Sequence, residues 1–214
     1  VREPLHLLLT HPHGDHAGGW ATLARLWPLE SVGTPVLADP AEAWGPWQPS
    51  KTPPGEGLSR GSHWRRGAGE FSVRWPPKPF RLPDANMVSL VVQVHWQDRE
   101  LWLMGDALAM QEQDLLDLGD PLPGFPHRLL KLGHHGSRSS STMEWLQAVS
   151  PEVVLATAGR RNRFGHPHPE TPATLAELGL PAPWVTGETK GVRIEAVPGG
   201  WAVATGEGRR SVIP

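Results

Sequence analysis

Cysteine is missing from all 214 residues. Its absence excludes disulfide frameworks, thiolate metal sites and cysteine nucleophiles, so a transition metal held here must use imidazole nitrogen and carboxylate oxygen. Compartment is not fixed by this, because reducing and oxidising surroundings both tolerate a cysteine-free chain. Long apolar runs are missing too: none approaches the roughly 20 residues that a membrane-crossing helix needs. The first residues lack the charged-then-apolar layout of a signal peptide, and the chain as written reads as soluble. A strong charge excess is also absent. The formal net charge of −2 argues against coating nucleic acid by bulk charge but leaves room for a local basic patch. There is no internal repeat, heptad or low-complexity tract.

What the chain does have in quantity is proline and glycine, 24 of each, which points to a loop-rich αβ protein. Its length suits a single domain over residues 1–214 with its own core. Leu5 to Leu9 is an apolar run with the pattern of a buried strand. It leads into a histidine-rich loop and then a helix from Ala17 to Trp27, with Leu23, Leu26 and Trp27 on one side and Asp15 placed to cap its start. From Pro40 to Pro83 the composition predicts loops, with a strand only at Glu70 to Trp75. Met87 to Trp96 and Glu100 to Met104, separated by Gln97-Asp98-Arg99, predict a hairpin. Further on, helices are expected at Met110 to Leu118, Thr142 to Val149 and Glu170 to Leu178. Strands are expected at Arg128 to Leu132, Val153 to Ala156, Pro183 to Thr186, Gly191 to Val197 and Trp201 to Ala204. Strands alternating with helices indicate an α/β architecture with helices on sheet faces.

The chemistry gathers at strand ends. His11, His13, Asp15 and His16 fall within six residues directly after the first strand, and in an extended segment His11 and His13 project to one side. Gly105-Asp106, His134-His135 and His166-Pro167-His168 follow later strands, and ligands at several strand termini converge on one sheet edge. Each has a plain alternative: a solvated histidine loop, a helix cap at Asp106, surface turns at the two later histidine pairs. A metal shell, however, needs such distant imidazole and carboxylate groups together. Arg138, Arg160, Arg161 and Arg163 cluster near the expected mouth, where guanidinium groups can hold phosphates and fix register without reading sequence. An ordinary solvated loop is the alternative. Trp64 and Trp75 with Arg65, Arg66 and Arg74 could form a stacking surface, although core packing is the commoner role.

The ordered set Thr10-His11-Pro12-His13-Gly14-Asp15-His16, Leu103-Met104-Gly105-Asp106-Ala107, Lys131-Leu132-Gly133-His134-His135-Gly136-Ser137 and Gly165-His166-Pro167-His168 resembles the metallo-β-lactamase superfamily. Within it, the set is most similar to the C-terminal hydrolase domain of ComEC-type DNA-uptake channels of bacterial competence. The resemblance covers nearly the whole chain and implies an αββα sandwich. Such domains ordinarily begin with an earlier strand pair, so the resemblance also implies an N-terminally truncated form whose sheet edge and activity are in question.

Carried onto this sequence, the family pattern implies that His11 and His13 bind one divalent ion and that Asp15 and His16 bind another. Asp106 would bridge the two, Asp15 would also serve catalysis, and His134 would complete one shell. His134 is chosen over His135 because it is the first to leave the strand; adjacent histidines point oppositely, so the alternative stays open, with His135 otherwise near substrate. His166 and His168 would lie over the metals, binding phosphate or donating a proton to the leaving oxygen. Asn86, Ser89 and Ser137 would orient substrate or ligands, with turn chemistry as the alternative, and Arg138, Arg161 and Arg163 would hold phosphate. Two ions about 3.5 to 4 Å apart suit in-line displacement at phosphorus, and a nitrogen and oxygen shell accepts zinc or manganese. The implied function is a nuclease that degrades one DNA strand during natural transformation. Its partners would be DNA, bound through the phosphate backbone, and a membrane channel domain on the same or a separate chain, at the outer side of the cytoplasmic membrane. The competing readings are a small-molecule phosphodiesterase or esterase of the same superfamily, and a non-catalytic DNA-binding or assembly module.

Overall fold

The structure, a computed structural model, describes residues 4–37, 44, 55–77, 84–121 and 124–214. Strand β1 (Leu5–Leu8) runs parallel to β2 (Leu29–Pro35), and β2 runs parallel to β3 (Gly55–Leu58), forming a three-stranded sheet. Between β1 and β2 the sequence predicts one helix, and the chain makes two, α1 (Gly14–Ala17) and α2 (Trp20–Leu26). The break falls at Gly18-Gly19, where backbone entropy opposes helix continuation. Asp15 caps neither: the capping positions of α1 and α2 are His13 and Gly19, each without a side-chain cap bond. Nor does α2 bury the expected leucine face, since none of its residues is buried and Leu26 is 53% exposed. Ala17 and Trp20 pack against Leu9 and Val32 instead.

The second sheet has seven strands in the order β10-β9-β8-β7-β6-β5-β4. They are β4 (His63–Arg66), β5 (Gly69–Trp75), β6 (Val91–Trp96), β7 (Arg99–Leu103), β8 (His127–Lys131), β9 (Val153–Ala156) and β10 (Trp184–Val185). Strands β7 to β10 are mutually parallel, and β4 to β7 are antiparallel. The hairpin is tighter than expected: Trp96 pairs with Arg99, leaving Gln97-Asp98 as a two-residue turn with Gln97 at positive φ. Part of the stretch expected to be loops, 40–43, 45–54 and 78–83, lies outside the described residues. Within the remainder β3 and β4 are strands that the glycine- and arginine-rich composition conceals. A third, antiparallel sheet joins β11 (Val192–Val197), β12 (Gly200–Thr205) and β13 (Arg210–Ile213).

Alternation along the central strands sets the layers. Trp102 and Leu130 face helices α3 (Ala109–Asp117), α4 (Met143–Val149) and α5 (Glu170–Glu177), packing with Leu115, Trp145, Leu146 and Leu175. Their neighbours Leu101 and Leu129 face the other way, where Val153, Trp201 and Val203 join the large sheet to the third sheet. On that same side Leu8 and Leu58 pack on Val73, Leu90 and Val92. Helices, sheet, sheet and helices therefore stack in the αββα order, with the smaller sheets sharing one face of the large one.

Candidate metal centre

Three parallel strands stop at one edge of the large sheet. Leu103 of β7 pairs with Lys131 of β8, which pairs with Leu155 of β9. The loops beyond them, carrying Asp106, His134-His135 and Thr157 to His168, therefore rise together at the carboxyl ends of the strands. The facing sheet delivers Thr10 to His16 to the same place, held there by Leu90 N–H donating to Thr10 O at 2.9 Å. Gly105 takes a φ of +52°, and a Cβ there would collide with Ser89 Oγ. Only glycine allows the chain to turn this closely ahead of Asp106.

Asp106 is buried and divides its carboxylate between two sets of donors. Oδ1 lies 3.1 Å from His16 Nε2 and 3.5 Å from His135 Nε2. Oδ2 lies 3.6 Å from His11 Nε2 and 4.0 Å from His134 Nε2. His13 Nδ1 sits 3.0 Å from His11 Nε2, and Asp15 Oδ2 sits 3.3 Å from His135 Nε2. Two compact groups result, His11 with His16 and Asp106, and Asp15 with His16 and His135, each with its donor atoms within 4.8 Å of one another.

His135, expected near substrate, is thus in a compact group, whereas His134, expected as the ligand, stands further off. The expectation that adjacent histidines point oppositely fails because both residues adopt left-handed backbone, with φ of 42° and 56°. Two such residues in succession are uncommon, and strain of this kind concentrates at functional sites. Here it turns both rings toward Asp106.

The far nitrogens are pinned. His135 Nδ1 donates to Thr157 O at 2.7 Å, and because a carbonyl only accepts, Nε2 keeps its lone pair in the neutral ring. Thr10 Oγ1 lies 3.0 Å from His16 Nδ1, and Ser89 Oγ lies 3.2 Å from His11 Nδ1 while accepting from Asp106 N–H. Such partners fix the tautomer and orientation of metal-binding imidazoles. The ring nitrogens so oriented converge on one another and on the buried Asp106 carboxylate. The donor set fits divalent ions held by nitrogen and oxygen.

Burial opposes the Asp106 carboxylate, but hydrogen bonds and charge from His135 and His16 outweigh it and hold the carboxyl well below its usual range. Burial, with His16 adding to it, pushes His11 down to about 3. Burial also lowers His134. For His135 burial works in the same direction, yet the Asp106 hydrogen bond and charge prevail and raise it. Lys131, buried 3.9 Å from Asp106 Oδ1, is brought down to about 8 by burial against the pull of Asp106.

A cleft of about 620 Å³ opens over these groups, lined by Thr10, Asp15, His16, Lys131, His135, Arg163 and His166 among others. The His166 ring centroid is 5.4 Å from that of His134 and 5.9 Å from that of His135. Burial and the neighbouring histidines lower it to about 4. His168 serves the loop: its Nδ1 accepts from Arg138 N–H at 3.0 Å and its Nε2 donates to Phe164 O at 3.0 Å. Arg163 lines the cleft; Arg161 is exposed on the same loop outside the lining, and Arg138 pairs with Glu170 at 3.4 Å. Ser89 is beneath His11. Ser137 accepts from Ser139 within its turn, and Asn86 is buried in the 3-10 turn Ala85–Val88, both outside the cleft lining. Trp75 is core, and Trp64 stacks on Phe71 away from the cleft. Thr10, Lys131 and Thr157 had no assigned role in the sequence reading. Thr10 and Lys131 stand inside the quoted motifs, while Thr157 carries no signal except its place just after β9.

The model of the metallo-beta-lactamase superfamily matches residues 1–159. This chain belongs to that superfamily. Among curated relatives, it is 31% identical over 165 residues to the uncharacterized protein YcaI of Escherichia coli, covering 77% of this chain and 20% of that one. It is 32% identical over 99 residues to ComE operon protein 3 of Bacillus subtilis, 46% of this chain and 12% of that one. It is 28% identical over 169 residues to the competence protein ComA of Neisseria gonorrhoeae, 78% of this chain and 22% of that one. The chain therefore spans about a fifth, or less, of the length of these relatives.

Proposed function

We propose that this superfamily member is a metal-dependent nuclease that hydrolyses DNA phosphodiesters, acting in a ComEC-type DNA-uptake assembly. The observation that carries the reading is the division of the buried Asp106 carboxylate between His16 and His135 on one oxygen and His11 on the other. His11, His13 and Asp106 would hold one ion, with His134 adjacent. Asp15, His16, His135 and Asp106 would hold the second. When bound, two such ions, zinc or manganese, supply Lewis acidity toward the attacking and leaving oxygens of an in-line displacement.

The remaining groups position the substrate. His166 is a neutral imidazole near pH 7, given its lowered pKa, so it can donate one N–H to a phosphate oxygen and accept a proton at its other nitrogen. Lys131 adds positive charge beside Asp106, and Arg163 offers a guanidinium at the cleft wall. His168 holds the loop that carries His166 and Arg163. Contacts of this type address phosphate, so cleavage is independent of sequence.

The competence relatives support a role in competence; on the resemblance drawn from the sequence, the chain would work beside a DNA channel, supplied by the same or another chain, at the outer face of the cytoplasmic membrane. Among the described residues no helix is long and apolar enough to cross a membrane. A small-molecule phosphodiesterase is the second reading, favoured by the cleft volume, which matches small-ligand sites. Incubation with linear single-stranded DNA and manganese separates the two. Degradation supports the nuclease; persistent full-length DNA beside turnover of a chromogenic phosphodiester supports the second reading and overturns the first.

A further inference from the structure

Phosphate recognition has no chemical need of an aromatic ring, yet the cleft carries one. Phe164 lines it with 61% of its surface exposed, and Leu103 and Ala158 add apolar wall. The ring is presented by a fastened loop. Asn162 donates through Nδ2 to Gly159 O at 3.0 Å and to His166 O at 2.8 Å, and its Oδ1 accepts from His166 N–H at 2.6 Å. His168 ties Phe164 O from the other side. Its exposed face at the cleft is apolar surface that a flat ligand entering the cleft would bury.

The planes around it indicate which ligand. The Phe164 ring is inclined 22° to His166 at 5.9 Å, and His166 is inclined 21° to His135 at 5.9 Å. The Arg163 guanidinium lies 4.9 Å from the Phe164 centroid. A series of near-parallel flat groups thus leads from solvent to the buried carboxylate. Aromatic stacking with adjacent cationic groups is how proteins hold successive unpaired bases while the backbone follows positive charge. In a duplex both faces of a base are already stacked, and an enzyme working there must first extrude the nucleotide.

We propose that Phe164 is a stacking platform for an unpaired nucleobase, which makes the cleft selective for single-stranded nucleic acid next to the hydrolysed phosphate. This rests on the nuclease reading and adds to it the form of the substrate and the residue that selects it.

The test compares kcat/KM of the wild-type chain, Phe164→Ala and Phe164→Trp on three substrates of equal length: oligothymidylate, a strand of abasic sugar-phosphate units, and a blunt duplex. The wild type is expected to cleave oligothymidylate roughly tenfold faster than either other substrate. Phe164→Ala should remove that advantage by slowing only the base-bearing strand, and Phe164→Trp should retain it. Equal slowing on oligothymidylate and abasic strand, or no change on either, overturns the stacking role while leaving the nuclease reading intact. A wild type that cleaves none of the three yet turns over a chromogenic phosphodiester overturns the nuclease reading, and the stacking role with it.

Discussion

His16 and His135 are separated by 119 residues of sequence, and their Nε2 atoms face each other at 3.1 Å across the Oδ1 edge of Asp106. Their Nδ1 atoms are held from behind by Thr10 and Thr157, which keeps both rings aimed at that gap. These two nitrogens and the carboxylate would hold one divalent ion, joining the loops after β1, β7 and β8.

Replacing Asp106 should therefore disturb both ion positions together. Asp106→Ala is expected to lower bound metal from about two ions per chain to near none, with loss of hydrolysis. Elemental mass spectrometry on the purified variant reads this directly, and retention of both ions would refute the bridging role.

The adjacent histidines should behave differently. His135→Ala is expected to lose one ion and most activity, whereas His134→Ala keeps both ions and is impaired in turnover. Isothermal titration of each metal-free variant with manganese distinguishes them. The opposite pattern would restore the ligand choice made from sequence alone.

Groups behind the ligands should matter without touching metal. Thr10→Val keeps shape but removes the hydroxyl beside His16 and His11, and a loss of about 10- to 100-fold in metal affinity is expected. Thr10→Ser should recover most of it.

Acid should destabilise the metal-free chain. Folded His11 stays neutral down to about pH 3 and His166 to about pH 4, while in the unfolded chain both take up protons near 6.5. Between about pH 6.5 and pH 4 the unfolded state therefore binds more protons, and stability falls as pH falls. His135, raised in the fold, acts above that window: its contribution is complete below 6.5 and is lost as pH rises through its folded pKa. The thermal midpoint in chelator should decline from pH 6.5 to pH 4, and His166→Asn should flatten the decline.

Much of this is legible in the sequence. Strands 153–156 and 192–197 and the later helices carry clean periodicity, and the ligand motifs sit where strands end. Less legible was whatever depends on tertiary setting. The left-handed pair His134-His135 leaves no trace in residue types, so ring directions could not be assigned. Strands β3 and β4 hide in glycine and arginine because both lie at sheet edges, and β4 buries none of its side chains. The loop role of His168 follows from Phe164 O and Arg138 N–H, both backbone groups with no sequence signature.

The central claim is that the Asp106-centred cluster uses bound metal to cut DNA. The most direct test follows end-labelled single-stranded DNA in the presence of metal-free protein as manganese is titrated in, with Asp106→Ala alongside. Hydrolysis that rises with added metal, stops with chelator and is absent from Asp106→Ala is the expected result; DNA cut equally in chelator or by Asp106→Ala would contradict it.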